Sequence, residues 1–190
     1  MIRDLVLKNR SYRRFQQSPV PDAATLKELV DLARLSPSSA NMQPFKFYLS
    51  NDPRTNTLIF PQLAWAGYLV DWPGPAEHER PTAYVIILGD KTIKTSFGCD
   101  HGIAAQTILL GAVEKGFGGC MIASVKREPL QAALKLDEKY EILLVIALSK
   151  PAEEILLETV GADGSIKYYR DEKDVHHVPK RSLADLVIND

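Results

Sequence analysis

Two stretches of this chain are apolar without a break: residues 83–88 (Ala-Tyr-Val-Ile-Ile-Leu) and residues 142–148 (Ile-Leu-Leu-Val-Ile-Ala-Leu). Each has the length of one strand and offers no polar face, the pattern of a strand covered on both sides of a sheet. Residues 45–50 and 120–122 predict two further strands. The spacing Leu26, Leu29, Val30, Ala33 is i, i+3, i+4, i+7 and predicts a helix with one core-facing stripe, opening after Pro21 with Asp22 as its N-cap. Residues 2–9 predict a short first helix, and Pro129 stands where the first turn of another would place it.

Residues 100–115 predict a helix of a different kind. Ile103, Ala105, Ile108, Leu110 and Val113 are spread around its whole circumference. A helix apolar on every side must be buried on every side, at the centre of the domain or at a subunit interface. Gly116-Phe117-Gly118-Gly119 ends it. Residues 51–81 read as a long irregular insert carrying Trp65, Tyr68, Trp72 and several prolines. Towards the C-terminus, Gly161-Ala162-Asp163-Gly164-Ser165 has turn chemistry between 158–160 and 166–169, which predicts a hairpin. The expected class is α/β or α+β around a mostly buried sheet, in one domain spanning 1–190. No strand-to-helix turn carries a GxGxxG or P-loop signature, which argues against a Rossmann dinucleotide fold.

Composition narrows the classes further. A formal charge of −1 supplies no global field for nucleic acid or an anionic membrane, so neither is an expected partner. No segment approaches the roughly 20 apolar residues of a membrane span. Residues 1–5 read as neither signal peptide nor anchor. Cys99 and Cys120 form no CxxC pair, and reduced thiols in a cytoplasmic protein are expected.

Three segments are candidates for chemistry, and three further groups fare worse. Arg10-Ser11-Tyr12-Arg13-Arg14 groups three guanidinium groups and a hydroxyl, a donor set suited to a phosphate monoester, although it also reads as a solvated basic patch. Ser38, Ser39, Asn41 and Gln43, between a helix and a strand, can hydrogen-bond the edge of a flat conjugated ligand or merely satisfy their own backbone. Lys180 and Arg181 form a second cationic pair. His176 and His177 are adjacent, so in a strand they face opposite ways, and no third ligand stands at metal spacing; zinc is not expected. Asp100-His101 lacks the serine elbow of a triad and reads as an N-cap or interface pair, and Cys120 reads as a small core residue. No side chain here is poised as a nucleophile, so a cofactor is the expected carrier of any difficult chemistry.

Taken in order, these segments resemble the nitroreductase-like flavoprotein family over nearly the whole chain. Residues 10–15 resemble its N-terminal phosphate-binding box, and residues 37–44 (Pro-Ser-Ser-Ala-Asn-Met-Gln-Pro) are similar to its P-S-S-x-N-x-Q-P loop. Residues 100–106 with the glycine-rich exit at 116–119 resemble its central helix, and residues 179–183 its basic C-terminal segment. The resemblance implies an α+β fold with a central, mostly antiparallel sheet flanked by helices, assembled as a homodimer with FMN at the interface. It implies that Arg10, Ser11 and Arg13 meet the FMN phosphate or pyrimidine edge and that Lys180 and Arg181 complete the phosphate site. It further implies that Ser38, Ser39, Asn41 and Gln43 contact the ring or ribityl chain, and that Ile122, Ala123 and Ser124 line the ring edge.

Two positions depart from the family pattern: Asn9 stands where many members have a further arginine, and Ala123-Ser124 where a polar or acidic residue and glycine are frequent. Trp65, Tyr68 and Trp72 would stack on a substrate or plug the core. The implied activity is transfer of electrons from NAD(P)H through FMN to a small electron-poor acceptor, a nitroaromatic or quinone, in a ping-pong cycle. Dehalogenation or dehydrogenation on the same fold, and a non-catalytic FMN binder, are the rival readings.

Overall fold

The computed structural model describes residues 1–189. Among these residues, five α-helices run α1 (Ile2–Lys8), α2 (Ala23–Arg34), α3 (Pro53–Ile59), α4 (Asp100–Glu114) and α5 (Arg127–Ala133). The strands are β1 (Phe15–Gln16), β2 (Phe45–Ser50), β3 (Ala83–Asp90), β4 (Gly118–Ile122), β5 (Tyr140–Pro151), β6 (Ile155–Thr159), β7 (Tyr169–Arg170) and β8 (His176–Lys180). Every pairing in the main sheet is antiparallel: β5 is flanked by β3 and β4, β2 lies beyond β3, and β1 pairs with the end of β5. The fold is therefore α+β.

The uninterrupted apolar runs become the two central strands, and all eight residues of β3 are buried. One face of the sheet packs on α2 and α4 through Leu26, Leu29, Val85, Ile108 and Ile146. The other packs on α3 and α5 through Ile59, Ile86, Leu130 and Val145. Asp22 caps α2 as expected, its Oδ1 accepting the Thr25 N–H at 2.7 Å. The helix at 53–59 inside the insert has its own N-cap, Asp52, and Pro53 in its first turn. Those local signals are masked in the sequence by the prolines and aromatics that surround them.

Within one chain, helix α4 buries Ala105, Ile108 and Ala112 while Ile103 stays 38% exposed, so the domain interior alone does not enclose it. One expectation is corrected. The hairpin across 161–165 does not form. The turn is present, with Gly164 N–H donating to Gly161 O at 3.0 Å, but β6 instead pairs in parallel with β8, and β7 pairs with β8 from the other side. Tertiary contacts of the intervening aromatic residues override the local turn: Tyr168 lies 4.9 Å from the Tyr68 ring and 5.2 Å from that of His176.

The glycine pair opening β4 has a packing reason. A Cβ on Gly118 would strike the Tyr12 ring, and one on Gly119 would collide with the carbonyl oxygen of Ala147 in β5. Their absence lets residues 11–12 run against β4, with Tyr12 N–H donating to Gly119 O at 3.0 Å. We expect Gly119→Ala to destabilise the fold by about 1–3 kcal/mol through forced overpacking, measured as a lowered urea midpoint.

Candidate functional site

The N-terminal basic segment leaves α1 and turns along β4, and this places its side chains in a cavity of about 300 Å³. Arg10, Ser11 and Arg13 line it from one side, and His176, Val178 and Lys180 from the other. The last three are alternate residues of β8, so strand periodicity aims them at one face while His177 and Pro179 point away. The same alternation keeps Arg181, which follows the strand and is exposed, out of this lining. Of the two predicted C-terminal cations, only Lys180 joins the arginines.

A second cavity, of about 210 Å³, lies along the end of β4. Ile122, Ala123 and Ser124 line it together with Trp65 from the insert, and Arg13 and Tyr168 border both cavities. Tyr168 is held on its faces: the Arg13 guanidinium sits 4.9 Å from its ring centroid, and its hydroxyl accepts the Tyr68 N–H at 3.3 Å. Trp65 packs against Phe60 at 5.8 Å and joins the core cluster as well as the cavity wall. Trp72 does neither; the Arg170 guanidinium lies over it at 4.3 Å. Cys120 also reaches this cavity but is buried, and burial pushes its thiol pKa up, as befits a core residue rather than a nucleophile.

The polar loop lies elsewhere. Ser38 and Gln43 line a third cavity, of about 140 Å³, beside α2 and the start of α4. Much of the loop's hydrogen bonding is internal: Ser38 Oγ accepts the Gln43 N–H at 2.9 Å, and Gln43 Nε2 donates to Asn41 O at 3.2 Å. Ala40, Asn41 and Gln43 all take positive φ (51°, 54° and 48°), a left-handed geometry disfavoured without glycine. Asp100 holds the loop in place, its Oδ2 accepting the Ser39 N–H at 2.8 Å. The N-cap of α4 is Cys99, so Asp100 acts on the loop rather than on its own helix end. Ser39 and Asn41 remain exposed.

Sequence reasoning missed three residues that shape the cationic cavity: Tyr168, His176 and Glu153. Glu153 is 2% exposed at its side chain, accepts the N–H groups of Arg13 and Arg14, and pairs with Arg170 Nη2 at 3.0 Å. Adjacent histidines in a strand cannot share a metal, and the alternation that separates His176 from His177 also buries His176 beside the arginines.

A sequence profile of the Nitroreductase family matches residues 6–150. The chain belongs to the nitroreductase family. Its fold is similar to that of an FMN-dependent nitroreductase from Clostridium difficile R20291, at 24% identity over 81% of this chain and 89% of that one, with a TM-score of 0.66. A variant of the FMN and NADPH-dependent nitroreductase NfnB from Sphigopyxis sp. strain HMH superposes with a TM-score of 0.63, at 16% identity over 80% and 88% of the two chains. Among curated proteins, an NADH dehydrogenase from Thermus thermophilus is 41% identical over 53 residues, 28% of this chain. That match spans 25% of the relative's own length. Among the described residues, no helix of this chain is long and apolar enough to cross a membrane.

The adjacent histidines of β8 titrate in opposite directions. Glu158 and Asp171 flank His177 and raise its pKa, so its contribution to stability is complete below pH 6.5 and fades as pH rises through the higher folded value. Burial, with the nearby Arg13, Arg170 and His177, lowers His176 to about 4. Its stabilising neutral state is complete above pH 6.5 and is lost as pH falls towards 4. Between pH 7 and 5 we expect the cofactor-free wild type to lose on the order of 2 kcal/mol more than His176→Gln, read from urea midpoints at the two pH values.

Proposed function

We propose that this chain, as one FMN-binding unit over residues 1–190, is an FMN-dependent oxidoreductase that works as a homodimer. It takes electrons from NAD(P)H and passes them to a small electron-poor acceptor of the nitroaromatic or quinone type. One observation carries the reading: a cavity lined by Arg10, Ser11, Arg13 and Lys180 opens beside a second cavity along Ile122–Ser124, with Arg13 common to both. The first offers only donors at its charged end, which fits a phosphate, and Arg10 Nε there is buried with no partner of its own. The second has the main chain of a strand end and an indole on its walls, which fits the edge and face of a ring. The FMN dependence of the Clostridium and Sphigopyxis proteins and the NADPH dependence of the latter support extending both cofactors to this chain.

When bound, FMN would supply the hydride and electron chemistry. The chain's own groups would do the positioning. Arg10 and Lys180 would hold the phosphate, while Arg13 would place a fixed positive charge between the phosphate end and the ring and favour an electron-rich ligand. Trp65 would close one wall of the ring cavity against water. A ping-pong exchange needs no side-chain nucleophile, in keeping with the protonated, buried thiol of Cys120.

A mismatch within one chain supports the dimer. The loop carrying Ser38, Ser39, Asn41 and Gln43 and the cavity carrying Arg10 and Arg13 line separate spaces. A second copy would bring its loop over the first copy's cavities, so that one ligand meets both sets. Ile103 on α4 and Ile2, Val6 and Leu7 on α1 are exposed apolar side chains on helices that touch each other, suited to such an interface.

Two experiments test this. The purified protein should carry or bind FMN, visible in its absorption spectrum, and Arg13→Ala should weaken FMN affinity about tenfold or more; a protein that binds no added FMN ends the proposal. Arg10→Ala and Asn41→Ala chains, each defective alone, should recover FMN binding at one site per mixed dimer when refolded together. Absence of recovery would place both residues of a site on one chain.

A further inference from the structure

His176 is 1% exposed, yet among the described residues neither of its ring nitrogens has a hydrogen-bond partner. Burying an imidazole in that condition forfeits its bonds to water with nothing in exchange, and such groups in folded proteins call for a partner. The main-chain N–H of His176 donates to Glu154 O at 2.9 Å and holds the strand, and the Tyr168 ring centroid lies 5.2 Å from that of the imidazole. It lines the same cavity as Arg10, Ser11, Arg13 and Lys180. Arg10 Nε is a second buried donor there without a partner. A cavity lined by cationic groups, with unpartnered nitrogens on two of its wall residues, is suited to an acceptor-rich anion.

We propose that His176 is a ligand-contacting residue of this cavity, donating a ring N–H to the phosphate of a bound phosphate monoester alongside Arg10 and Lys180. The proposal rests on the FMN reading for the identity of that monoester. Burial and the facing cations Arg13 and Arg170, with His177 next to it, keep the ring neutral near pH 7. A neutral ring has one N–H to give, and it adds a directional bond without adding a further charge to an already cationic wall. Strand β8 delivers His176 and Lys180 to the same cavity wall.

The test compares FMN with riboflavin, which has the ring and ribityl chain but no phosphate, titrated into flavin-free protein and followed by flavin fluorescence. His176→Phe should raise the Kd for FMN about tenfold or more, the loss of one hydrogen bond to a charged acceptor, and leave riboflavin binding unchanged within twofold. His176→Gln, which keeps a donor, should recover most of the FMN affinity. Equal weakening of both flavins would mean that the ring only supports the fold, and overturns the proposal. If His176→Phe binds FMN like the wild type while Arg10→Ala does not, the His176 contact is wrong and the FMN reading stands. If the wild type binds no FMN, both fail together. Should the variants not fold, side-chain ¹⁵N spectra of the wild type decide, with the imidazoles of His78, His101 and His177 assigned by single substitution. FMN or inorganic phosphate should shift the ring nitrogens of His176, and an unmoved signal with FMN bound refutes the contact.

Discussion

The buried carboxylate of Glu153 is the contact on which the cationic site depends. It sits just after β5, accepts the main-chain N–H groups of Arg13 and Arg14, and pairs with the largely buried Arg170 of β7. A carboxylate taken out of water is costly unless its lone pairs are filled, so three segments distant in sequence must converge on it. That convergence sets the course of the backbone from which Arg13 projects and brings the C-terminal sheet against the N-terminal basic segment. Through Arg170, which also covers Trp72, it ties down part of the 51–81 insert as well. Removing the Glu153 carboxylate would leave Arg170 charged and largely buried and two main-chain N–H groups unpaired, which makes these contacts interdependent rather than additive.

From that anchor the two cavities follow by simple geometry. Gly118 and Gly119 let the 11–12 segment run against β4, and this sets Arg10, Ser11 and Arg13 beside the strand that ends in Ile122–Ser124. Pairing of β8 with β6 then brings a second strand across, and its period of two sends His176, Val178 and Lys180 inward together. The site is thus built from the two ends of the chain meeting over the edge of a sheet whose centre is purely apolar. This division of labour agrees with cofactor-borne chemistry: the sheet supplies rigidity, and the chain ends supply charge.

His176 and His177 show how far environment outweighs identity. They are neighbours of the same type in one short strand. His177 lies between Glu158 and Asp171 with the Tyr169 ring stacked 4.8 Å away, and the carboxylates favour its charged form. His176, one residue before it, is buried and faces the Arg13 and Arg170 guanidinium groups, and both effects favour its neutral form. One histidine stitches the outer sheet, and the other is left available to a ligand.

The sequence by itself determined the elements and the family. Strands β3 and β5, helix α2 with its Asp22 cap, and helix α4 are written in hydrophobic period and capping chemistry, which act over a few residues and need no knowledge of the rest of the chain. The N-terminal basic run and the polar loop were legible for the same reason, since each is a contiguous run. Only the tertiary structure decided how they are grouped. Lys180 joins the arginines and Arg181 does not because of the phase of β8. The Ser38–Gln43 loop lies against Asp100, away from the cationic cavity, because α4 carries it there. The turn at 161–164 makes no hairpin because Tyr168 is claimed by Arg13, Tyr68 and His176. Those outcomes rest on contacts between residues far apart in the chain, and local periodicity carries no information about which distant partner a side chain will meet.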